Sequence, residues 1–316
     1  MLLRLASPSD PITNAVLTGF ERSAPAIMQD LEFYIKTGSA DSVKRAKATS
    51  TKSDIFRALN EDNTPDAYTP VYDPVAKKIV SFDVKVDVQL EDRNEDPEAE
   101  LAQLTVIEAE SVGYSLQEAF FEGNDDVSEG NPLSFKGLRA LADEYGNIIQ
   151  ADYGIAPVGG ADNTIITQQQ QFIEELTNFF KRIRGGATHA YMHEDVKTRL
   201  LTIAKNLGYY RTAKDELGNE IEMIRGVIIR GAGYKENGDL LLPFTEADDT
   251  SSIFACRFGE RTNLTCLTSV GVKARYAGQI GNFLINNVNM DAAMHLQAPT
   301  ALYQLTGITL GSNDSP

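Results

Sequence analysis

Residues 188–197 read THAYMHEDVK, and the residue types could do metal chemistry. His189 and His193 stand four apart, and Glu194 and Asp195 follow at once. A hydrolytic zinc site of the HExxH kind needs two histidines on one face of a helix, with the general-base glutamate between them. Here the glutamate comes after the second histidine. The run ATHAYM reads as a short strand and EDVKTRLLTIAKN as a helix, so the two histidines straddle a strand-to-helix junction. Two acids at the start of a helix are also what the positive end of its dipole favours. A metal hydrolase built on His189, His193, Glu194 and Asp195 would need a third ligand, and the only other histidine is His295, which reads as a plain strand residue. Capping is the simpler reading, and no catalytic, cofactor or metal residue is assigned.

The elements around this stretch can be placed by their periodicity. Residues 78–90 alternate, with Val80, Phe82, Val84, Val86, Val88 and Leu90 on one side, which predicts a half-buried strand. Asp96 as N-cap, Pro97 in the first helical position and Glu98 and Glu100 in the first turn open a helix. It runs to about Phe121, with Leu101, Leu104, Ile107, Val112, Leu116, Ala119 and Phe120 as its apolar stripe, and Gly123 ends it. The acidic loop 122–132 has the wrong spacing for calcium: counting from Asn124 puts Glu129 where an EF-hand needs glycine. A short helix follows at 134–144 and a loop at 154–163. A capping box of Thr167 and Gln170 predicts the start of the next helix, with Phe172, Leu176, Phe179, Phe180 and Ile183 inward. After Gly208 the pattern turns to strands. Asn237-Gly238 marks a turn between EIEMIRGVIIRGAGY and LLLPF. A hairpin centred on Arg261 would set Cys256 opposite Cys266, as neighbouring thiols. Residues 282–308 form a last extended run.

Composition narrows the class. The 316 residues hold 29 basic and 45 acidic side chains, a net charge of -16. Such a chain repels itself and is a poor general binder of nucleic acid. Two cysteines outside any CxxC make neither a disulfide scaffold nor a zinc ribbon. The N-terminal apolar stretch is too short for a signal peptide, no run approaches a membrane span, and cytosolic synthesis is expected. Residues 1–28 look like an arm with a short helix around 14–20. Residues 35–70 carry no sustained period, which predicts either disorder or an extended excursion ordered by something else. Lys36, Lys44, Arg45, Lys47, Lys52 and Arg57 against Asp41 and Asp54 make Lys36–Arg57 locally basic, while 91–100 holds six acids and one arginine. The basic stretch could pair with Glu91, Asp92, Glu95 and Glu98, within one chain or between copies. Two solvated faces is the alternative.

Four segments in this order carry a resemblance: AFFEGNDDVSEGNPLSFKGLRAL after the long helix, GATHAYMHEDVKTRLLTIAKNLG, LLLPFTEADDTSSIFACRFGE and APTALYQLTGI. Together they resemble the major capsid proteins of tailed double-stranded DNA phages, over about residues 110–310. The resemblance implies an α+β chain of the Hong Kong 97-type fold. The N-terminal arm would be 1–29 and an extended loop 30–75. The peripheral domain would be 76–150 and 270–297, with a spine helix at about 96–121, and the axial α/β domain 151–269 and 298–316. It also implies pentamers and hexamers of an icosahedral shell in the virion, assembled in the bacterial cytoplasm, enclosing DNA without sequence-specific binding. Because Met1 lies close to the presumed loop, a separate scaffolding protein is implied, or none; portal and decoration proteins would be further partners. An encapsulin-like compartment shares the fold and remains a rival. Some members join lysine to asparagine covalently. Here Lys36, Lys44, Lys47 and Lys52 face no motif linking them to Asn286, Asn287 or Asn289.

Overall fold

The structure is a computed structural model that describes residues 2–36, 40–45, 71–89, 96–126, 128, 131–152, 155, 163–214, 220–246, 249–260 and 262–310. A long helix, α3, runs over Pro97–Glu122 and spans about 39 Å at 1.5 Å per residue. Its start is as expected: the Asp96 carboxylate accepts from the backbone N–H of Glu98 at 3.0 Å, and Pro97 occupies the first turn. Its buried face differs from the expected stripe. Leu101, Thr105, Ala109, Gly113, Leu116, Gln117, Phe120 and Phe121 are buried, whereas Ile107 is 53% exposed.

The reason is helix α2, Pro11–Ser23, which crosses α3 so closely that small residues are required at the contact. A Cβ on Gly19 would lie 2.7 Å from the Val106 carbonyl oxygen, and one on Gly113 would lie 1.9 Å from Ser23 Oγ. Gly113→Val is therefore expected to destabilise the chain by about 1–3 kcal/mol through overpacking, read as a lower denaturant midpoint at unchanged slope. The N-terminal segment is no loose arm. Asp10 caps α2 through Thr13 N at 2.9 Å, Pro11 begins it, and Leu3, Val16, Leu17, Phe20 and Leu31 are fully buried. The prolines that suggested an arm punctuate packed elements, among them a π-helical turn at Ala26–Asp30.

Among the described residues the strands form three sheets. The first centres on β13, Phe283–Leu296. Strand β4, Lys78–Asp87, pairs with it antiparallel from Asp87↔Phe283 to Lys78↔Ala292, and β12, Lys273–Ile280, lies on its other side. The end of β13 pairs instead with β11, Leu264–Thr268, beside which β1, Phe33–Ile35, runs parallel. Alternation sends Val84, Val86, Leu284, Val288 and Met290 inward.

The second sheet has seven strands. From one edge they are β5 (Ile148–Gln150), β14 (Leu302–Ile308), β10 (Ser251–Cys256), β6 (His189–Met192), β9 (Val227–Gly231), β8 (Glu220–Ile224) and β7 (Tyr210–Lys214). It is covered on both sides. Helices α5, Asn163–Arg182, and α6, Glu194–Asn206, share one core with Ala190, Met192, Ile229, Ile253, Ala255 and Leu305. On the other face Tyr191, Phe254 and Cys256 join the core that holds α2, the end of α3 and helix α4, Leu138–Glu144. That is why every residue of β10 is buried. The third sheet is a ribbon of β2, Ala40–Arg45, and β3, Val71–Ala76.

Several sequence expectations are corrected here. Helix α5 is already under way at Asn163, so Thr167 and Gln170 are interior residues, and the apparent capping box is a pattern that helix interiors also accommodate. EIEMIRGVIIRGAGY folds back on itself at Arg225-Gly226, both at positive φ (51° and 89°), which makes β8 and β9 a hairpin. Asn237-Gly238 does turn the chain, but LLLPF contributes only the single bridge Tyr234↔Leu240. Cys256 and Cys266 are free and buried in different sheets, Cys256 opposite Leu302 and His189, Cys266 opposite Phe33 and Met294. Strands β10 and β11 do not pair with each other: Phe258 meets Leu264 in the parallel sense, and the two strands belong to different sheets. The final extended run is likewise two strands, separated by a 3₁₀ turn at Pro299–Ala301.

Candidate assembly site and the histidine stretch

The residues proposed for assembly fall into four groups. Lys44 and Arg45 lie on β2, opposite Tyr72 and Val71 in the ribbon. Glu98 is exposed in the first turn of α3. Lys47, Lys52, Glu91, Asp92 and Glu95 lie outside the described residues. Lys36 is set apart from Lys44 and Arg45, at the ribbon's root, where its backbone N–H donates to the Thr268 carbonyl at 2.8 Å.

That root holds a polar knot which sequence reasoning missed. Lys77 sits between β3 and β4 with its side chain only 2% exposed. Its ammonium donates to the Lys36 carbonyl and, at 2.8 Å, to Ser269 Oγ, and stands 3.6 Å from Asp291 Oδ2. Asp291, on β13, also accepts from Ser269 N at 2.8 Å and from Thr268 Oγ1 at 3.1 Å. Burial alone would raise the Asp291 carboxyl, but these donors and Lys77 hold it below the usual carboxylate range. The knot thus ties both ends of the ribbon, Lys36 and Lys77, to β11 and β13. Beside it Tyr34 and Val75 pack on Leu267 and Ala293. A lone lysine at the start of a strand pattern gave no signal of burial.

The histidine stretch resolves into two structural roles. His193 is itself the N-cap of α6: its Nδ1 accepts from Asp195 N at 3.1 Å, and its ring lies 4.6 Å from that of Phe244. Burial lowers its pKa, against the opposing pull of Asp195 and Glu194. The Asp195 side chain is 68% exposed. His189 faces the other way, its Nε2 3.4 Å from Asp30 Oδ1. Asp30 also accepts from Tyr191 Oη at 2.8 Å and from Arg230 Nη2 at 2.9 Å. Its side chain is 2% exposed. Burial pushes its carboxyl up, yet the His189, Arg230 and Tyr191 contacts outweigh this and hold it below the ordinary value. Burial and the nearby Asp30 push the Tyr191 hydroxyl and the Cys256 thiol well up. The four side chains fasten the end of the N-terminal segment to β6 and β9. Among the described residues no three His, Cys, Asp or Glu side chains are grouped to hold a metal ion.

The late asparagines are also engaged. Asn286 is buried and donates to Thr105 Oγ1 at 2.9 Å, and Asn287 Nδ2 donates to Asp83 Oδ1 at 2.5 Å. Among the described residues no helix is long and apolar enough to cross a membrane.

No protein-family profile and no curated protein sequence matches this chain. Solved structures do. A chain of the holo-SrpI encapsulin complex from Synechococcus elongatus PCC 7942 is similar at 13% identity and a TM-score of 0.59, over 91% of this chain and 89% of that one. A virus-like particle from Pyrococcus furiosus is similar at 12% identity and a TM-score of 0.53, over 93% and 97%. The satellite phage P4 procapsid, solved with its size determination (Sid) protein, is similar at 10% identity and a TM-score of 0.52, over 94% and 100%. At such identities the likeness speaks for architecture. With the long helix α3 over a β4–β13–β12 sheet, the twice-covered seven-stranded sheet and the separate β2–β3 ribbon all in place, the chain has the Hong Kong 97-type capsid fold.

Proposed function

We propose that this chain is the major capsid protein of a tailed phage, assembling into pentamers and hexamers of an icosahedral shell around double-stranded DNA. The observation that carries this reading is the ribbon. Strands β2 and β3 pair with each other alone among the described residues, which suits a structure completed by a neighbouring copy. The basic residues of its stretch, Lys44, Arg45, Lys47 and Lys52, would meet the acids Glu91, Asp92, Glu95 and Glu98 of the next subunit. The net charge of -16 suits a wall that contains DNA without gripping it. Scaffolding, portal and decoration proteins would be separate partners, and the working location is the virion after assembly in the host bacterium. The shell needs no catalytic residue.

The test is reversal of the ribbon charge, K44E/R45E/K47E. Light scattering and imaging of purified wild-type protein should show megadalton shells. The variant should keep a cooperative melt and lose at least tenfold in shell yield; undiminished shells would remove the ribbon from this role. The likeness to an encapsulin supports a second reading, a compartment for protein cargo. The contents of shells purified from the producing cells, nuclease-protected DNA or protein, decide between the two.

A further inference from the structure

The knot at the ribbon root has a purpose that stability does not explain. Among the described residues, the Lys36 carbonyl, Ser269 Oγ and Asp291 Oδ2 lie close to the Lys77 ammonium, which has three N–H donors to offer. Burying such a pair gains little over an apolar side chain of equal volume, because desolvation offsets the attraction. What an ion pair adds is direction. A methionine could fill the space at Lys77, but it would not fasten the strand leaving at Lys36 to the strand returning at Lys77, nor both to Asp291. Among the described residues β2 pairs only with β3, and the ribbon meets the body beside the root, where Val75 packs on Leu267 and Ala293. Its angle to the body is therefore set at this root.

We propose that Lys77 and Asp291 are positioning residues: their ion pair fixes the direction in which the ribbon leaves the subunit, and so whether it can reach a neighbouring copy. The second half of this statement rests on the capsid reading; the first does not. Both native cysteines are buried, so introduced cysteines can be labelled selectively. Spin labels on S42C in the ribbon and Q103C on α3 report the ribbon's angle in dissociated subunits by pulsed electron resonance.

Wild type should give one narrow distance distribution. K77M and D291N, which keep volume and remove charge, should widen it at least twofold while the thermal melt stays cooperative. Shell yield from the same samples should fall in step. A distribution as narrow as wild type in either folded variant overturns the proposal. Loss of folding in both also overturns it, by making the pair a requirement for folding rather than for direction. Wild-type subunits that form no shells under any condition would refute the capsid reading, and the distance measurement would still decide the role of the pair.

Discussion

Asp30→Ala is expected to cost about 3–5 kcal/mol of unfolding free energy at neutral pH, the range for breaking a buried ion pair from one side. The substitution strips Arg230 and Tyr191 of their shared acceptor in a site where Asp30 is 2% exposed. It also releases the π-helical turn from β6 and β9, so the loss is spread over two elements. The pH dependence has a definite sign. The folded Asp30 carboxyl titrates below its unfolded value, so its contribution is complete above the ordinary carboxylate range. It is lost as pH falls through that range toward the folded value. Denaturant titrations of wild type and variant should therefore differ in full above about pH 4, and the gap should shrink as pH falls further. A gap that stays constant down to the acid limit of folding would show that the carboxylate charge is not what holds the knot.

Phe121→Ala is expected to cost a similar amount, about 3–5 kcal/mol, as a large aromatic removed from a packed core. Phe121 is fully buried at the last turn of α3. Its ring meets Phe120 at 5.0 Å, Tyr191 at 5.5 Å and Phe254 at 6.5 Å between centroids, edge-on to the first two. It is the point where the long helix docks on β6 and β10. The chain has no tryptophan, so the near-ultraviolet circular dichroism comes from tyrosine and phenylalanine, and loss of the Tyr191 environment is readable there. Phe121→Leu should recover more than half of the loss. If alanine proves as stable as wild type, the aromatic cluster is not the joint between the two halves of the core.

What could be read in advance follows from locality. The start of α3 was legible because Asp96, Pro97, Glu98 and Glu100 each act within one turn. The β4 alternation was legible because one face of that strand is dry and the other wet. Helix α6 was legible from Glu194 and Asp195, although His193 as the cap itself was not, since histidine is an uncommon residue there. Apart from the start of α5 and the tight β8–β9 turn, the failures involve partners distant in sequence. The buried face of α3 was only partly placed: Leu101, Leu116 and Phe120 are buried as expected, but α2 brings Ala109 and Gly113 inward and leaves Ile107 outside. The two cysteines were paired on an assumed hairpin, and the actual partners of Cys256 come from residues 189 and 302. The knots join Asp30 and Lys77 to partners 41 to 214 positions away and carry no local spacing signal. The ordered set of family-like segments supplied the architecture that periodicity could not.

Strand β13 has a mechanical meaning. It is one unbroken backbone of 14 residues, about 46 Å long at 3.3 Å per residue. Ten of its residues are laddered to β4, which continues directly from the ribbon root, and its last four are laddered to β11. Tension pulling the ribbon away along β4 meets ten registered pairs in parallel, in shear. It does not open them one at a time from an end. Peeling breaks hydrogen bonds in sequence under small force, whereas shear requires many to yield together. A tug on the ribbon is thus passed along one strand into the body of the subunit, and the subunit resists it as a stiff strut rather than a zipper.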